Sequence, residues 1–298
     1  DTMVVGQVAG VEALAALGAV DFLMWVVTGI STGLTQGFSI QLSQYYGAKD
    51  FENLRKSLAH SYRLTAFIAI GVFILSQSFA SLVLTGLHTP SNIIGMSLLY
   101  LRIIFCGIPA TAAYNMFASA LRAMGNSKTP LTAMIIASVL NVSLDILFVA
   151  GFGWGVAGAA IATVIAQSFS AVYCFLILRR IDIVHLTRAD FMPASGMNAR
   201  LMKLGIPVVF QNIIIGVGGL VVQYVINGYG FLFVAGFTAT NKLYGLLEMA
   251  AISYGYAIVT YVGQNLGAGK IDRIRKGVRS SMLLSLLTSL IISAAMFL

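Results

Sequence analysis

An acid and an amide lie one helical turn apart inside an apolar segment of the chain. Residues 140–148 read LNVSLDILF, and the four-residue spacing of Asn141 and Asp145 places both side chains on one face of a helix. A carboxylate in hydrocarbon costs at least about 3 kcal/mol, so such residues normally face a bundle interior or water and mark ion or substrate pathways. Two interpretations are open: Asp145 binds a proton or a cation, or it forms a structural pair with Asn141 and the backbone.

Polar side chains from four predicted helices share one band of depth with this pair. At a rise of about 1.5 Å per residue, they lie between about 8 and 14 Å below the external helix ends. They are Asp1, Tyr100, Asn141, Asp145 and Thr163. Because two carboxylates that lie close together repel each other, a bound proton or cation stabilises the pair. We therefore favour ion binding over a purely structural role for Asp145.

The composition places these side chains in a membrane protein. Of the 298 residues, 58% are hydrophobic and 9% are charged, with a mean hydropathy of +0.90. Runs of about 20 apolar residues, the length of a helix that crosses a bilayer, recur along the chain. We expect an all-α polytopic membrane protein with no soluble domain.

The residue patterns of an enzyme or a metalloprotein are missing from the sequence. Its 2 cysteines lie in apolar runs, and its 3 histidines lie far apart with no ligand partners nearby. It has no nucleophile with a neighbouring base and no phosphate-binding loop. We expect neither catalysis nor a cofactor, and no metal ion other than Na⁺ at the Asp145 cluster.

The net charge of +8 comes from basic residues in alternate loops. Of the 18 Lys and Arg residues, 15 lie in loops near positions 50, 125, 190 and 272, whereas the intervening turns contain none. By the positive-inside rule, these basic loops are cytoplasmic. The charge therefore indicates orientation in the plasma membrane, and we expect no nucleic-acid partner.

Apolar spans separate these loops and define two lobes. We assign residues 1–180 to an amino-terminal lobe, 181–201 to a cytoplasmic linker and 202–298 to the start of a carboxy-terminal lobe. The predicted spans are 1–10 (partial), 17–46, 57–84, 93–122, 130–150, 155–178, 202–228, 231–265 and 277–298.

The two lobes share an internal repeat. QYYGAKDFENLRK at 44–56 aligns without a gap with QNLGAGKIDRIRK at 264–276, so one constant repeat offset takes position 44 to position 264. An even number of spans separates the copies, so the halves have the same orientation and form parallel repeats, as in many secondary transporters. By this offset we expect about 17 further residues before Asp1 and roughly 100 after Leu298, which would complete twelve helices.

Glycine and proline positions indicate where helices approach or bend. Gly29, Gly33 and Gly37 form two successive GxxxG steps, a glycine seam that allows transmembrane helices to approach closely. Pro109 is the one proline that we consider a hinge candidate, with a role in gating.

The second half of the chain offers fewer polar candidates. Lys242 is either a charge that competes with substrate in the central cavity or a structural ammonium bonded to carbonyls. Glu248 lies deeper on a different face, and we assign it no role. The repeat partner of Asp1 is Val221, so the second half lacks this acid.

Four segments together resemble the multidrug and toxic compound extrusion (MATE) transporters. They are DTMVVGQVAG at the start, GIPATAAYNMFASALRAMGNSKTP at 107–130, NVSLDILFVAGFGWGVAGAAIAT at 141–163 and YVGQNLGAGKIDR at 261–273. The resemblance implies a twelve-helix, two-lobed antiporter that exports organic cations and other amphipathic compounds. Inward flow of H⁺ or Na⁺ would drive it. We expect a monomer whose partners are a small-molecule substrate and membrane lipid.

The resemblance also implies residue roles. Members of the DinF-like branch carry an Asp on the first helix, a Tyr on the fourth, an Asn and an Asp on the fifth and a Thr on the sixth. The matching residues are Asp1, Tyr100, Asn141, Asp145 and Thr163. The NorM-like branch places a Glu on the seventh helix where this chain has Ile215, which argues against a second cation site.

Two other functions are open. A lipid-linked oligosaccharide flippase of the same superfamily would need a cationic cavity for a pyrophosphate headgroup, whereas the cluster found here is acidic. A channel or non-transporting membrane scaffold would not need the parallel repeat or two acids at one depth. Export of cations is therefore favoured, with H⁺ and Na⁺ both open as the coupling ion.

Overall fold

The helices begin and end close to the turn signals of the sequence. The computed structural model describes residues 2–86, 91–227, 245 and 252–297, and these residues form no strand. Two short 3₁₀ turns lie in the linker between α8 and α9. The helices are α1 (Thr2–Val8), α2 (Val11–Gly18), α3 (Asp21–Gly47), α4 (Phe51–Gly86), α5 (Ile94–Cys106), α6 (Ile108–Ala123), α7 (Lys128–Asp145), a π-helix (Ile146–Gly151), α8 (Gly155–Leu178), α9 (Met197–Asn227), α10 (described part 252–267) and α11 (Ile271–Phe297).

The helix lengths confirm the prediction of an all-α polytopic membrane protein. Within the described residues, 6 helical segments are long and apolar enough to cross a membrane, and the bent pair of α5 and α6 would make 7. The predicted span 17–46 lies within one candidate membrane span, Glu12–Gly47, in which a turn between Gly18 and Asp21 separates α2 from α3. The flanking residues are apolar, and Asp21 is the one charged residue at the turn itself. Much of the predicted span 231–265 lies outside the described residues.

The repeated segment ends both α3 and α10 with the same turn. Residues 44–50 and 264–270 form the same backbone hydrogen bonds at equivalent positions, with N–H···O distances between 2.8 and 3.1 Å. One residue in each turn adopts the left-handed conformation, Lys49 at φ 59° and Gly269 at φ 69°. The repeat seen in the sequence is therefore also a repeat of backbone conformation.

Helices α5 and α6 form one bent segment. The bend of 45° lies at Gly107, where an added Cβ would lie 2.8 Å from Val164 Cγ2 on α8. Pro109 occupies the first turn of α6, where the missing N–H has no helical partner to lose. The bend therefore lies within two residues of Pro109, the proline considered as a hinge candidate. A role for Pro109 as a hinge stays a prediction.

Two buried apolar clusters pack the helices together. In the first cluster, residues of α1, α5, the π-helix and α8 pack against one another, among them Val5, Tyr100 and Val149. The second lies towards the end of the bundle that carries the basic loops, where Leu201 brings α9 against α3, α4, α6 and α8.

The linker between α8 and α9 is held against α4. His60 is 2% exposed, and its Nδ1 lies 2.7 Å from Asn198 Oδ1 while its Nε2 lies 3.1 Å from the carbonyl oxygen of Met192. Arg63 donates a hydrogen bond of 3.0 Å to the carbonyl oxygen of Phe191. These contacts fix the position of the linker relative to the first half of the chain.

The glycine seam of α3 packs against α9. All three of its glycines face α9, and an added Cβ at Gly37 would overlap the backbone of Gly205. Asn212 on α9 donates a hydrogen bond of 3.1 Å to the carbonyl oxygen of Gly29. The close helix approach predicted from the GxxxG steps is confirmed.

Candidate functional site

Asp145 ends α7 and is completely buried, with an exposed fraction of 0%. The π-helix Ile146–Gly151 follows it directly. Single π-turns within helices frequently occur at functional sites, because the extra residue changes where the neighbouring groups point. Val149 in this turn is buried in the first apolar cluster, so the carboxylate lies beside a packed apolar interior. A charge at such a position requires compensation by protein groups or by a bound ion.

One polar residue of α7 and one of α8, Asn141 and Thr163, meet close to this position. Asn141 Nδ2 donates a hydrogen bond of 3.4 Å to the hydroxyl oxygen of Thr163 on α8. Both side chains are partly exposed, and Asn141 lies one turn before Asp145 on α7. The structure therefore brings together two residues, 22 positions apart, that the depth estimate placed at one level.

Tyr100 contributes a phenol from a third helix. It is 5% exposed and lies on α5, which packs against α8. The carboxylates of Asp145 and Asp21 both lie within electrostatic range of its hydroxyl. Tyr100 thus lies near two acids, Asp145 at the end of α7 and Asp21 at the start of α3.

Asp21 is a residue of this region that the sequence pattern does not reveal. It is the exposed first residue of α3, whereas the predicted span 17–46 places it inside a helix. An acid in the first turn of a helix is a common start signal, and weighting that signal above the apolar run would find it.

The first helix completes the surroundings of the cluster. Helix α1 contacts both the π-helix and α8. Asp1, which immediately precedes α1, lies outside the described residues, and so do Lys242 and Glu248. The roles proposed for Asp1 and Lys242 stay predictions, and no role is assigned to Glu248.

The described members of the cluster offer oxygen ligands. A carboxylate, an amide, a hydroxyl and a phenol suit a proton or a hard cation such as Na⁺. Among the residues that the structure describes, no three His, Cys, Asp or Glu side chains gather as a transition metal would require. Oxygen ligands of this kind can bind and release a proton or a small hard cation.

The sequence matches one family over most of its length. The profile of the MatE family covers residues 1–147 and 207–298. The probable multidrug resistance protein YpnP of Bacillus subtilis (strain 168) is 31% identical over 274 residues, which cover 92% of this chain and 61% of that protein. The multidrug export protein MepA of Staphylococcus saprophyticus is 23% identical over 248 residues, which cover 82% of this chain and 54% of that protein.

A solved structure shares the fold. The outward-facing conformation of a multidrug resistance MATE transporter of the MOP superfamily has a TM-score of 0.90 at 20% identity and covers 100% of this chain and 66% of that one. This chain spans 61% of YpnP and 54% of MepA, less than two thirds of either protein. The profile match over both halves and the shared fold show that this chain belongs to the MATE family, a family of membrane transporters and not of enzymes.

Proposed function

We propose that this chain carries the cation-coupling half of an antiporter that exports organic cations and other amphipathic compounds. The observation that carries the proposal is the complete burial of Asp145, next to the Asn141–Thr163 hydrogen bond and within electrostatic range of Tyr100. The names of the relatives, which describe multidrug resistance and export, support the substrate class.

The architecture of the proposal is two lobes around a central cleft. Residues 1–180 form the amino-terminal lobe, 181–201 the linker and 202–298 the start of the carboxy-terminal lobe. The basic loops lie in the cytoplasm, on the inner face of the plasma membrane, because Lys and Arg are retained on that side. The protein acts as a monomer, because both lobes belong to one polypeptide in a full-length transporter.

The coupling step is the discharge of Asp145. As a carboxylate it attracts a cationic substrate into the amino-terminal lobe. When H⁺ or Na⁺ binds, the negative charge is neutralised and the attraction for the substrate falls. Asn141 and Thr163 hold the geometry of the site, and the hydroxyl of Tyr100 supplies a further oxygen. The substrate then leaves on the outer side.

Alternating access links this step to movement of the lobes. A bound ion shifts the balance between outward-open and inward-open states only to the extent that it binds one of them more tightly. Rocking of the two lobes about the cleft would expose Asp145 first to the outside, where the ion enters, and then to the cytoplasm, where it leaves.

Ethidium transport in proteoliposomes tests this function. The full-length transporter is reconstituted, a pH or Na⁺ gradient is imposed, and ethidium flux is measured for the wild type and for Asp145→Asn. Asp182→Asn is the matched control, because Asp182 lies in the linker with a fully exposed side chain (103%). We expect flux driven by one of the two gradients, lost in Asp145→Asn and kept in Asp182→Asn.

Two results would contradict the proposal. Gradient-driven flux that survives Asp145→Asn would return this residue to a structural role. Wild-type protein that binds ethidium but shows no counterflow under either gradient would favour a scaffold, and flux of a lipid-linked pyrophosphate instead of ethidium would favour a flippase.

A further inference from the structure

The ends of α3 and α10 cross with backbone against backbone. An added Cβ at Gly47 would overlap the carbonyl oxygen of Gln264, and an added Cβ at Gly267 would overlap the carbonyl oxygen of Gln44. Neither glycine has a positive φ, so close approach of the partner helix, and not backbone conformation, requires glycine at both positions.

The two contacts are the same contact made twice. Gln44 and Gln264 are repeat partners, and Gly47 and Gly267 are repeat partners, at the same repeat offset. Gly47 of the first copy packs against Gln264 of the second, and Gly267 of the second copy packs against Gln44 of the first. This reciprocity is the signature of a two-fold interface, in which each contact occurs once in either direction.

A third pair places the axis of this symmetry. Ser43 and Gly263 are also repeat partners, and an added Cβ at Gly263 would lie 2.6 Å from Ser43 Cβ. Residues related by a two-fold axis touch each other only where they lie beside that axis. The pseudo-symmetry axis of the two halves therefore runs between Ser43 and Gly263.

Two further contacts join α6 to α10 near the crossing. Gln264 Nε2 donates a hydrogen bond of 2.8 Å to the carbonyl oxygen of Ala123. The guanidinium carbon of Arg122 lies 5.1 Å from the centre of the Tyr256 ring, within the range of a cation–π interaction. Ser43, at the centre of the crossing, is 0% exposed. The first half of the chain and α10 are thus closed against each other at this end.

We propose that the symmetric glycine crossing of α3 and α10 is the cytoplasmic gate of the transporter, and that the structure holds it closed. This inference rests on the alternating access proposed above and names the contact that must break in each cycle. The crossing adjoins the turns that carry Lys49 and Lys270, which the positive-inside rule places in the cytoplasm.

The absence of side chains on the glycines explains how such a gate can open and close. Two helices that meet through backbone surfaces separate without disengaging interlocked side chains. Addition of one methyl group leaves each helix intact but prevents the close approach, because there is no rotatable group that can move aside. Each alanine therefore shifts the gate towards the open state.

Labelling of Ser43→Cys measures the gate without transport. Cys106 and Cys174 are first replaced by Ser, and a membrane-impermeant maleimide is applied to the cytoplasmic face of inside-out vesicles that contain the full-length transporter. We expect Gly267→Ala and Gly47→Ala each to raise the labelling rate at least about ten-fold. Gly255→Ala is the matched control, because Gly255 lies on α10 and its added Cβ meets no atom within 4 Å.

The second variant is Tyr256→Leu, which removes the ring beneath Arg122 and adds no bulk to the crossing. We expect about a five-fold increase in labelling, whereas Tyr256→Phe keeps the ring and the wild-type rate. The proposal of a gate would be overturned if folded Gly267→Ala protein, or the Tyr256→Leu variant, were labelled at the same rate as the wild type. Because the readout is chemical access and not flux, a failure of cation coupling at Asp145 would leave this result unchanged.

Discussion

Lys49 occupies the same left-handed backbone conformation as Gly269, its repeat partner in the second half of the chain, at φ 59° and φ 69°. A side chain in this region of φ and ψ costs about 1 kcal/mol relative to glycine. The two turns form the same hydrogen bonds, so the first copy carries a strain that the second does not.

The first prediction concerns the residue with positive φ in each of the two turns. Lys49→Gly should raise the free energy of unfolding by about 1 kcal/mol, and Gly269→Ala should lower it by about the same amount. An added Cβ at Gly269 meets no atom within 4 Å, so only backbone strain changes. Thermal unfolding in detergent, followed by loss of the monodisperse elution peak, measures both. Equal stability of Gly269→Ala and wild type would contradict it.

The second prediction concerns the hydrogen bond from Asn141 to Thr163. Thr163→Val keeps the shape of the side chain but removes the accepting oxygen, so we expect about a ten-fold loss of apparent affinity for the coupling ion. Thr163→Ser should retain it. Thr132→Val on α7 is the control, since its exposed hydroxyl donates a hydrogen bond to the carbonyl oxygen of Lys128 on its own helix. The measurement is ethidium flux as a function of the imposed ion gradient, and equal ion dependence in Thr163→Val and Thr132→Val would refute this role.

The third prediction concerns the attachment of the linker. His60→Ala removes the contacts to Asn198 and to the carbonyl of Met192, so the linker should separate from α4 more often. We expect trypsin to cleave after Arg188 about ten times faster than in wild type. His185→Ala serves as the control, because its side chain is 61% exposed. Cleavage at the same rate in both variants would show that His60 does not hold the linker.

The fourth prediction separates the two residues at the bend of α5 and α6. Gly107→Ala should destabilise the protein by about 1 to 3 kcal/mol, because its Cβ meets Val164 Cγ2 at 2.8 Å. Val164→Ala in the same chain should restore much of the loss. Pro109→Ala should change stability by less, since Pro109 is exposed and its helix position needs no N–H partner. Thermal unfolding of the single and double variants measures the difference; additive losses in the double variant would rule out this contact.

Much of this architecture could be predicted because it follows from length and repetition. The repeat offset, read from identities such as Gly47 with Gly267, reappears in the hydrogen bonds of both turns. The depth estimate brought Asn141 and Thr163 to one level because both helices have the same rise per residue, and the structure joins them by a hydrogen bond.

Other features depend on contacts between distant segments or on turns that the local hydropathy pattern does not reveal. The break between α2 and α3 lies in a segment, residues 13–27, that is apolar except for Asp21, so hydropathy averaged over a window gives little sign of the break. The pairing of Arg122 with Tyr256 joins segments from different halves of the chain and depends on how α6 and α10 pack. The reciprocal glycine crossing is also invisible until the two copies of the repeat are placed against each other.

The π-helix after Asp145 is equivalent to an α-helix with one residue inserted. One residue of an α-helix corresponds to a rotation of about 100°. The insertion therefore sets the angular position of everything that follows, including Phe148, Phe152 and Trp154, whose rings pack on one another within 6.0 Å between centroids. Deletion of a single residue from 146–151 would leave Asp145 in place and rotate the aromatic rings that follow the deletion around the helix axis, so that their angular position relative to the acid would change.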